Sequence, residues 1–252
     1  MKFMSSFLII AIIGILAQFI DGGLGMGYGV TSSTLLISLG FIPTIASAVV
    51  HTAEVFTTLA AGISHYKIGN VEKKIFIPLV LGGILGGVFG AYMLTSFENL
   101  KPITSVILLS MGLLILYRFN FRKTPVVFKS VPHFKKTVGL GFFAAMVDSI
   151  GGGGWGPITT PSLVLRDLHP SKVIGSACLA EFFVTVAVSL SFLFMLKDLP
   201  WDFVFPLAIG GIIISPIAAY MSKKLSHRIL GSLVGSGVII LSILNIVKYL
   251  GL

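Results

Sequence analysis

Asp21, His51 and Glu54 return as Asp148, Cys178 and Glu181 when the chain is shifted by 127 positions. All six stand in or beside long apolar segments, where an ionisable side chain costs about 2.5 to 3.5 kcal/mol to insert and is a functional candidate by default. Glu54 and Glu181 each lie eleven residues beyond a proline. Such acids can stay protonated and hydrogen-bonded, cap broken backbone or carry coupling protons. His51 stands three residues before Glu54 and so shares its helix face. A histidine titrates near neutrality, which suits proton-linked chemistry, but helix packing is the commoner use for it. Cys178 takes its place in the second copy, and one His with one Cys does not make a metal site. Asp21 and Asp148 are expected to cap the glycine turns that follow them.

Those turns are the second chemical feature. Asp21-Gly22-Gly23-Leu24-Gly25-Met26-Gly27-Tyr28-Gly29 is matched by Asp148-Ser149-Ile150-Gly151-Gly152-Gly153-Gly154-Trp155-Gly156. Glycine breaks a helix and lets a ligand approach the backbone closely. Non-helical backbone at membrane depth is tolerated only where protein or water satisfies it. A half-helix restarting after such a break presents free N–H groups and a positive dipole end, which attract anions. Thr31, Ser32 and Ser33 follow the first break, and Thr159 and Thr160 the second, adding hydroxyl donors. The expected anion site is therefore Gly25, Gly27, Tyr28, Gly29, Thr31 and Ser32 with Gly152, Gly154, Trp155, Gly156, Thr159 and Thr160, and it needs no lysine or arginine. The competing reading is that the glycines serve only tight packing. Gly151-x-Gly153-x-x-Gly156 also matches the dinucleotide fingerprint, but that motif needs a preceding strand, so the match is accidental.

The elements that must hold these residues are membrane helices. Of 252 residues, 55% are hydrophobic and 11% charged, and the mean hydropathy of +1.01 fits a soluble globule poorly. Phe3 to Ile20, Ile75 to Phe97, Phe203 to Ser222 and Ile229 to Val247 are charge-free or nearly so, close to the roughly 20 residues that cross a bilayer core. Lys2 and the apolar run after it read as a retained segment rather than a cleaved signal. The single cysteine excludes an intrachain disulfide. The +9 net charge sits in short loops, where lipid headgroups and insertion topology account for it without nucleic acid. Helices are expected over 4–21, 31–39, 43–64, 75–95 and 103–117, with a basic linker over 119–136.

The second half repeats the first. Nine identities fall in the 36 positions from 21 to 56 at an offset of 127, among them Pro43/Pro170 and Glu54/Glu181. At an offset of 128, Pro78/Pro206, Gly82/Gly210, Gly83/Gly211, Ala91/Ala219 and Tyr92/Tyr220 follow. Residues 1–118 form a first repeat, 119–136 a cytoplasmic linker and 137–252 a second repeat, together one transport domain. If residues 4–40 enter, break and return, 14 of the 18 basic residues share one side. A single crossing gives 12 against 6. The positive-inside rule thus favours the hairpin, with both termini outside the cytoplasm. The expected fold is an all-α polytopic protein of two inverted repeats, each a re-entrant or broken helix pair plus three transmembrane helices.

Gly82-x-x-x-Gly86-x-x-x-Gly90 and Gly83-x-x-x-Gly87-x-x-x-Ala91, echoed by Gly211-x-x-x-Ser215-x-x-x-Ala219, are small-residue faces for close helix packing. They would serve a repeat interface or a homodimer. No Ser/His/Asp set has hydrolase context and no nucleotide motif supports ATP drive, so neither an enzyme nor a cofactor is expected. Two tandem modules, each with a Gly-rich break and a Pro-led helix bearing an internal acid, resemble the TauE/SafE family of membrane transporters. The carriers are Gly22 to Gly29 and Gly151 to Pro157, although Val30 and Thr34 stand where the second copy has Pro157 and Pro161. The resemblance implies gradient-driven transport of sulfite, sulfonates or related small anions across the cytoplasmic membrane. The alternatives are a cation or metal carrier using Glu54, Glu181 and His51, and a membrane-embedded enzyme or sensor.

Overall fold

The computed structural model describes residues 2–97, 133–164 and 168–221, with scattered helical positions over 106–117 and 232–247. Most of the expected helix over 103–117, the linker and the last apolar run lie outside the described residues. The helices are α1 (Lys2–Leu24), α2 (Tyr28–Ser38), α3 (Pro43–Lys67), α4 (Lys73–Ser96), α5 (Phe134–Gly151), α6 (Trp155–Val164), α7 (Pro170–Leu196) and α8 (Trp201–Met221). No strand occurs among the described residues.

Local chemistry explains the boundaries. α1 runs past the expected stop at Asp21, because a glycine inside a helix costs only about 1 kcal/mol. The helix ends where Gly25 and Gly27 take φ of +67° and +125°, a backbone region that L side chains rarely enter. α5 likewise runs through Asp148 and ends at Gly152, also at φ +67°. Pro43 and Pro170 open α3 and α7 at the first turn, where the missing N–H costs nothing.

The bundle is apolar outside and holds a few acids in an otherwise largely apolar interior. Leu8, Ile12, Leu85, Phe89, Phe194 and Ile213 are exposed, as side chains facing lipid are, while Asp21, Glu54, Asp148 and Glu181 are buried. α3, α4, α7 and α8 are long and apolar enough to cross a membrane. This is an all-α polytopic membrane protein.

Helices of one half pack on helices of the other in matched pairs, α4 on α5 and α1 on α8. Along α4, Gly82, Gly86 and Gly90 face Val138, Phe142 and Met146 of α5 in the same order, so the two run parallel. A methyl group on Gly90 would stand 2.6 Å from the Met146 carbonyl oxygen. The α1/α8 seam has the same registration: Gly14 meets Leu207 and Gly210 meets Ala11, just as Gly141 meets Leu79 and Gly82 meets Val138. Gly83 likewise meets Val184 on α7, and Gly211 meets Thr57 on α3. The small-residue faces that would have served a homodimer are therefore filled within the chain. Between α3 and α7, Gly62 meets Leu179 while His51 lies beside Phe192, so these central helices run antiparallel.

Candidate functional site

The two glycine breaks meet face to face. A Cβ on Gly29 would lie 2.9 Å from both the Gly152 carbonyl oxygen and Gly153 Cα, and one on Gly156 would lie 2.6 Å from the Gly25 carbonyl oxygen. Backbone approach this close leaves room only for glycine at Gly29, Gly153 and Gly156. Two hydroxyls lock the contact. Ser33 Oγ donates to the Gly152 carbonyl, and Thr160 Oγ1 donates to the Gly25 carbonyl at 2.9 Å. These are one interaction made twice, since 33 and 160, and 25 and 152, each differ by 127.

The half-helices α2 and α6 start at the meeting point, and the aspartates hold their first N–H groups. Asp148 Oδ1 accepts from Gly154 N at 2.6 Å and Trp155 N at 3.1 Å. Asp21 accepts from Tyr28 N–H, which matches Trp155. The expected capping role of both aspartates is what the geometry contains. An acid at this position uses the helix dipole as a bound anion would.

Each aspartate also completes a cluster with the opposite half. His51, Glu54 and Asp148 bring donor atoms within 4.8 Å of one another, as do Asp21, Cys178 and Glu181. All six are buried. In the first cluster His51 Nε2 lies 3.0 Å from Asp148 Oδ2, and Nδ1 lies 2.8 Å from the Ser47 carbonyl oxygen. Ser47 Oγ donates to the Ser149 carbonyl oxygen at 2.7 Å. Glu54 Oε2 and Asp21 Oδ2 have no hydrogen-bond partner among the described residues. No lysine or arginine is among the buried residues described. A carboxylate isolated this way is costly unless a proton, a cation or water attends it.

The other expected residues sort into two groups. Thr31 Oγ1 and Ser32 Oγ are buried without a hydrogen-bond partner among the described residues. Thr159 bonds back to the Trp155 carbonyl at 2.7 Å and is occupied within its own helix. Tyr28 and Trp155 are each 1% exposed. Their polar ends are tied to helix carbonyls, Tyr28 OH to Leu207 at 3.2 Å and Trp155 Nε1 to Ala177 at 3.2 Å. They wedge the half-helices against α8 and α7. Ser47 and Gln18 are additions. Ser47 stands one helical turn before His51, a spacing legible in the sequence, while Gln18, buried with neither amide atom partnered among the described residues, carries no such signal.

With this geometry in place, similarity to known proteins decides the family. The family described as sulfite exporter TauE/SafE matches residues 10–245. The chain belongs to this family. It is a membrane transporter, not an enzyme. This TauE/SafE member is 44% identical over 246 residues to the probable membrane transporter protein YtnM of Bacillus subtilis (strain 168), covering 95% of this chain and 82% of the relative. It is 29% identical over 180 residues to the probable membrane transporter protein YdhB of the same organism, covering 68% of this chain and 71% of the relative. No solved structure matches this TauE/SafE chain.

Proposed function

We propose that the protein is a secondary transporter of a small anion, sulfite or an organosulfonate, driven by a proton or ion gradient through a site at the two glycine breaks. One observation carries the reading. Two half-helix starts converge inside a lipid-facing bundle, with the unpartnered hydroxyls of Thr31 and Ser32 close to the first break. The N–H groups there are already held by Asp21 and Asp148. An incoming anion would be repelled by these acids unless they were neutralised, which links anion entry to proton binding. Glu54 and Glu181 extend the same acid field and are the expected coupling groups.

The antiparallel pairing of α3 with α7, which correspond at an offset of 127, supports an inverted repeat. Equivalent helices related by an axis along the membrane normal would run parallel, whereas an in-plane axis makes them antiparallel. The breaks are in contact in this conformation, so transport requires them to part. The uneven basic residues support placement in the cytoplasmic membrane with both termini outside the cytoplasm. A phosphatase fused to the C-terminus would then be active, and an inactive fusion with normal expression overturns that orientation.

The reading is tested on purified protein by thermal shift and by labelled-sulfite flux in proteoliposomes with and without a pH gradient. Stabilisation by sulfite or a short alkanesulfonate, with flux that responds to the gradient, is expected. Stabilisation by metal cations alone would replace the anion site with a cation carrier. Glu54→Gln and Glu181→Gln are each expected to depress proton-dependent flux, and unchanged flux with unchanged pH response in both removes them from coupling.

A further inference from the structure

His51 sits between two acceptors. The Ser47 carbonyl oxygen at 2.8 Å from Nδ1 can only accept, so Nδ1 donates there. Ser47 Oγ, 3.2 Å from the same nitrogen, spends its own proton on the Ser149 carbonyl. With Nδ1 protonated, a neutral ring would turn a bare Nε2 toward Asp148 Oδ2 at 3.0 Å, lone pair against lone pair. That distance requires one proton between them, either on an imidazolium facing a carboxylate or on a carboxylic acid facing a neutral ring.

We propose that the His51–Asp148 pair is the binding site for the transported proton, and that only one of the two matching clusters contains such a site. Binding and release balance simply. On release the shared proton leaves toward the opened break, and a neutral Nδ1–H imidazole and an ionised Asp148 remain. On return it re-forms the Nε2···Oδ2 bridge. No redox partner is involved. The same Asp148 holds the N–H groups of Gly154 and Trp155 through its other oxygen. Loss of the proton therefore takes the pair from neutral to a net negative charge and leaves an uncompensated carboxylate on the group that caps the second half-helix, in the position an anion would take.

The charged groups that act on this pair are Glu54 on its own helix, Asp21 on α1 and Glu181 on α7, each buried, while Cys178 and Tyr28 lie toward Asp21. Glu54 Oε2 is buried, unpartnered and part of the same cluster, a second acceptor to which the proton can pass. In the matching cluster Cys178 replaces the imidazole. A thiol is a weak donor and acceptor and cannot hold a proton against Asp21 as a second basic group would.

The functional arm of the test rests on the transport reading above, and the spectroscopic arm does not. The full-length protein, labelled with ¹⁵N-histidine and embedded in lipid, is examined by solid-state nuclear magnetic resonance across pH. The His51 signal is assigned as the one of five histidines lost in His51→Gln or His51→Asn. The expected result is a protonated Nδ1 throughout, with Nε2 sharing a proton in wild type and bare in Asp148→Asn. A bare Nδ1 beside a protonated Nε2 overturns the proposal. In proteoliposomes, the ratio of labelled-sulfite flux with a pH gradient to flux without one is expected to fall about tenfold in His51→Gln, within the usual range of site coupling. Exchanging the pair, His51→Cys with Cys178→His, moves the imidazole beside Asp21 and is expected to restore part of the ratio. An undiminished ratio in His51→Gln overturns the coupling role. If wild type moves no sulfite, the transport reading fails while the resonance still decides whether the proton is there.

Discussion

The cluster at Asp148 and the cluster at Asp21 are built from the same positions and differ at one of them. Each takes its aspartate from one half of the chain and its glutamate from the other, eleven residues past a proline. Each aspartate receives the N–H of the aromatic residue that opens its half-helix. Only the third member changes, His51 in one and Cys178 in the other. The difference teaches that packing and chemistry are under separate constraints here. Backbone contacts repeat through Ser33/Thr160, Gly25/Gly152 and Gly14/Gly141, while the basic group is present once.

Substitutions can break the packing symmetry or expose the chemical asymmetry. The largest effect is expected at the glycine seams. Gly82→Leu and Gly210→Leu, which correspond at an offset of 128, would drive side chains into the backbones of α5 and α1, where overpacking costs about 1 to 3 kcal/mol or more. Both are expected to abolish monodisperse protein in detergent. A large difference between them would break the equivalence of the seams. Trp155→Ala removes the largest fully buried side chain and its bond to Ala177. It should lower unfolding stability by about 3 to 5 kcal/mol, and Tyr28→Ala somewhat less, as read by denaturant titration in bicelles.

Smaller effects sharpen the comparison. Ser33→Ala and Thr160→Val each remove one of the two hydroxyl locks, at about 1 kcal/mol apiece. The pair should cost more than the sum if both locks close one contact, and strict additivity in a double-mutant cycle would separate them. Gly139→Ala is the control. Nothing among the described residues lies within 4 Å of a methyl group there, so the substitution should not destabilise, and the gain in helix propensity should raise stability by up to about 1 kcal/mol.

Much of the fold was legible because glycine, proline and buried acid are rare enough in apolar sequence to make the 127 offset visible. The offset identified both clusters by composition, and helix spacing placed His51 beside Glu54. It could not say that Asp21 would join Glu181 rather than Glu54, since that pairing depends on how two halves interleave across the whole chain. Tyr28 and Trp155 are expected in the site because they stand in the glycine breaks beside the hydroxyls; in the fold both turn their polar ends to helix carbonyls. Neither a hydrogen bond to a backbone carbonyl 179 residues away nor the orphaned amide of Gln18 leaves a local signature. The small-residue faces were recognisable as interfaces, but which partner filled them was not.

The crossed seams also set an order of assembly. α4 finds its glycine-matched neighbour in α5, the next described helix, whereas α1 must wait for α8, with Gly14 and Leu207 separated by 193 residues. At about 5 to 20 residues per second of synthesis, that wait is roughly 10 to 40 s. Throughout it Gly14 and Gly22 are without α8, and for most of it Asp21 is without Cys178 and Glu181. α1 thus precedes the other described helices and is among the last of them to find its permanent neighbour, so its glycine face must stay unpaired with α8 while the rest of the described bundle is made.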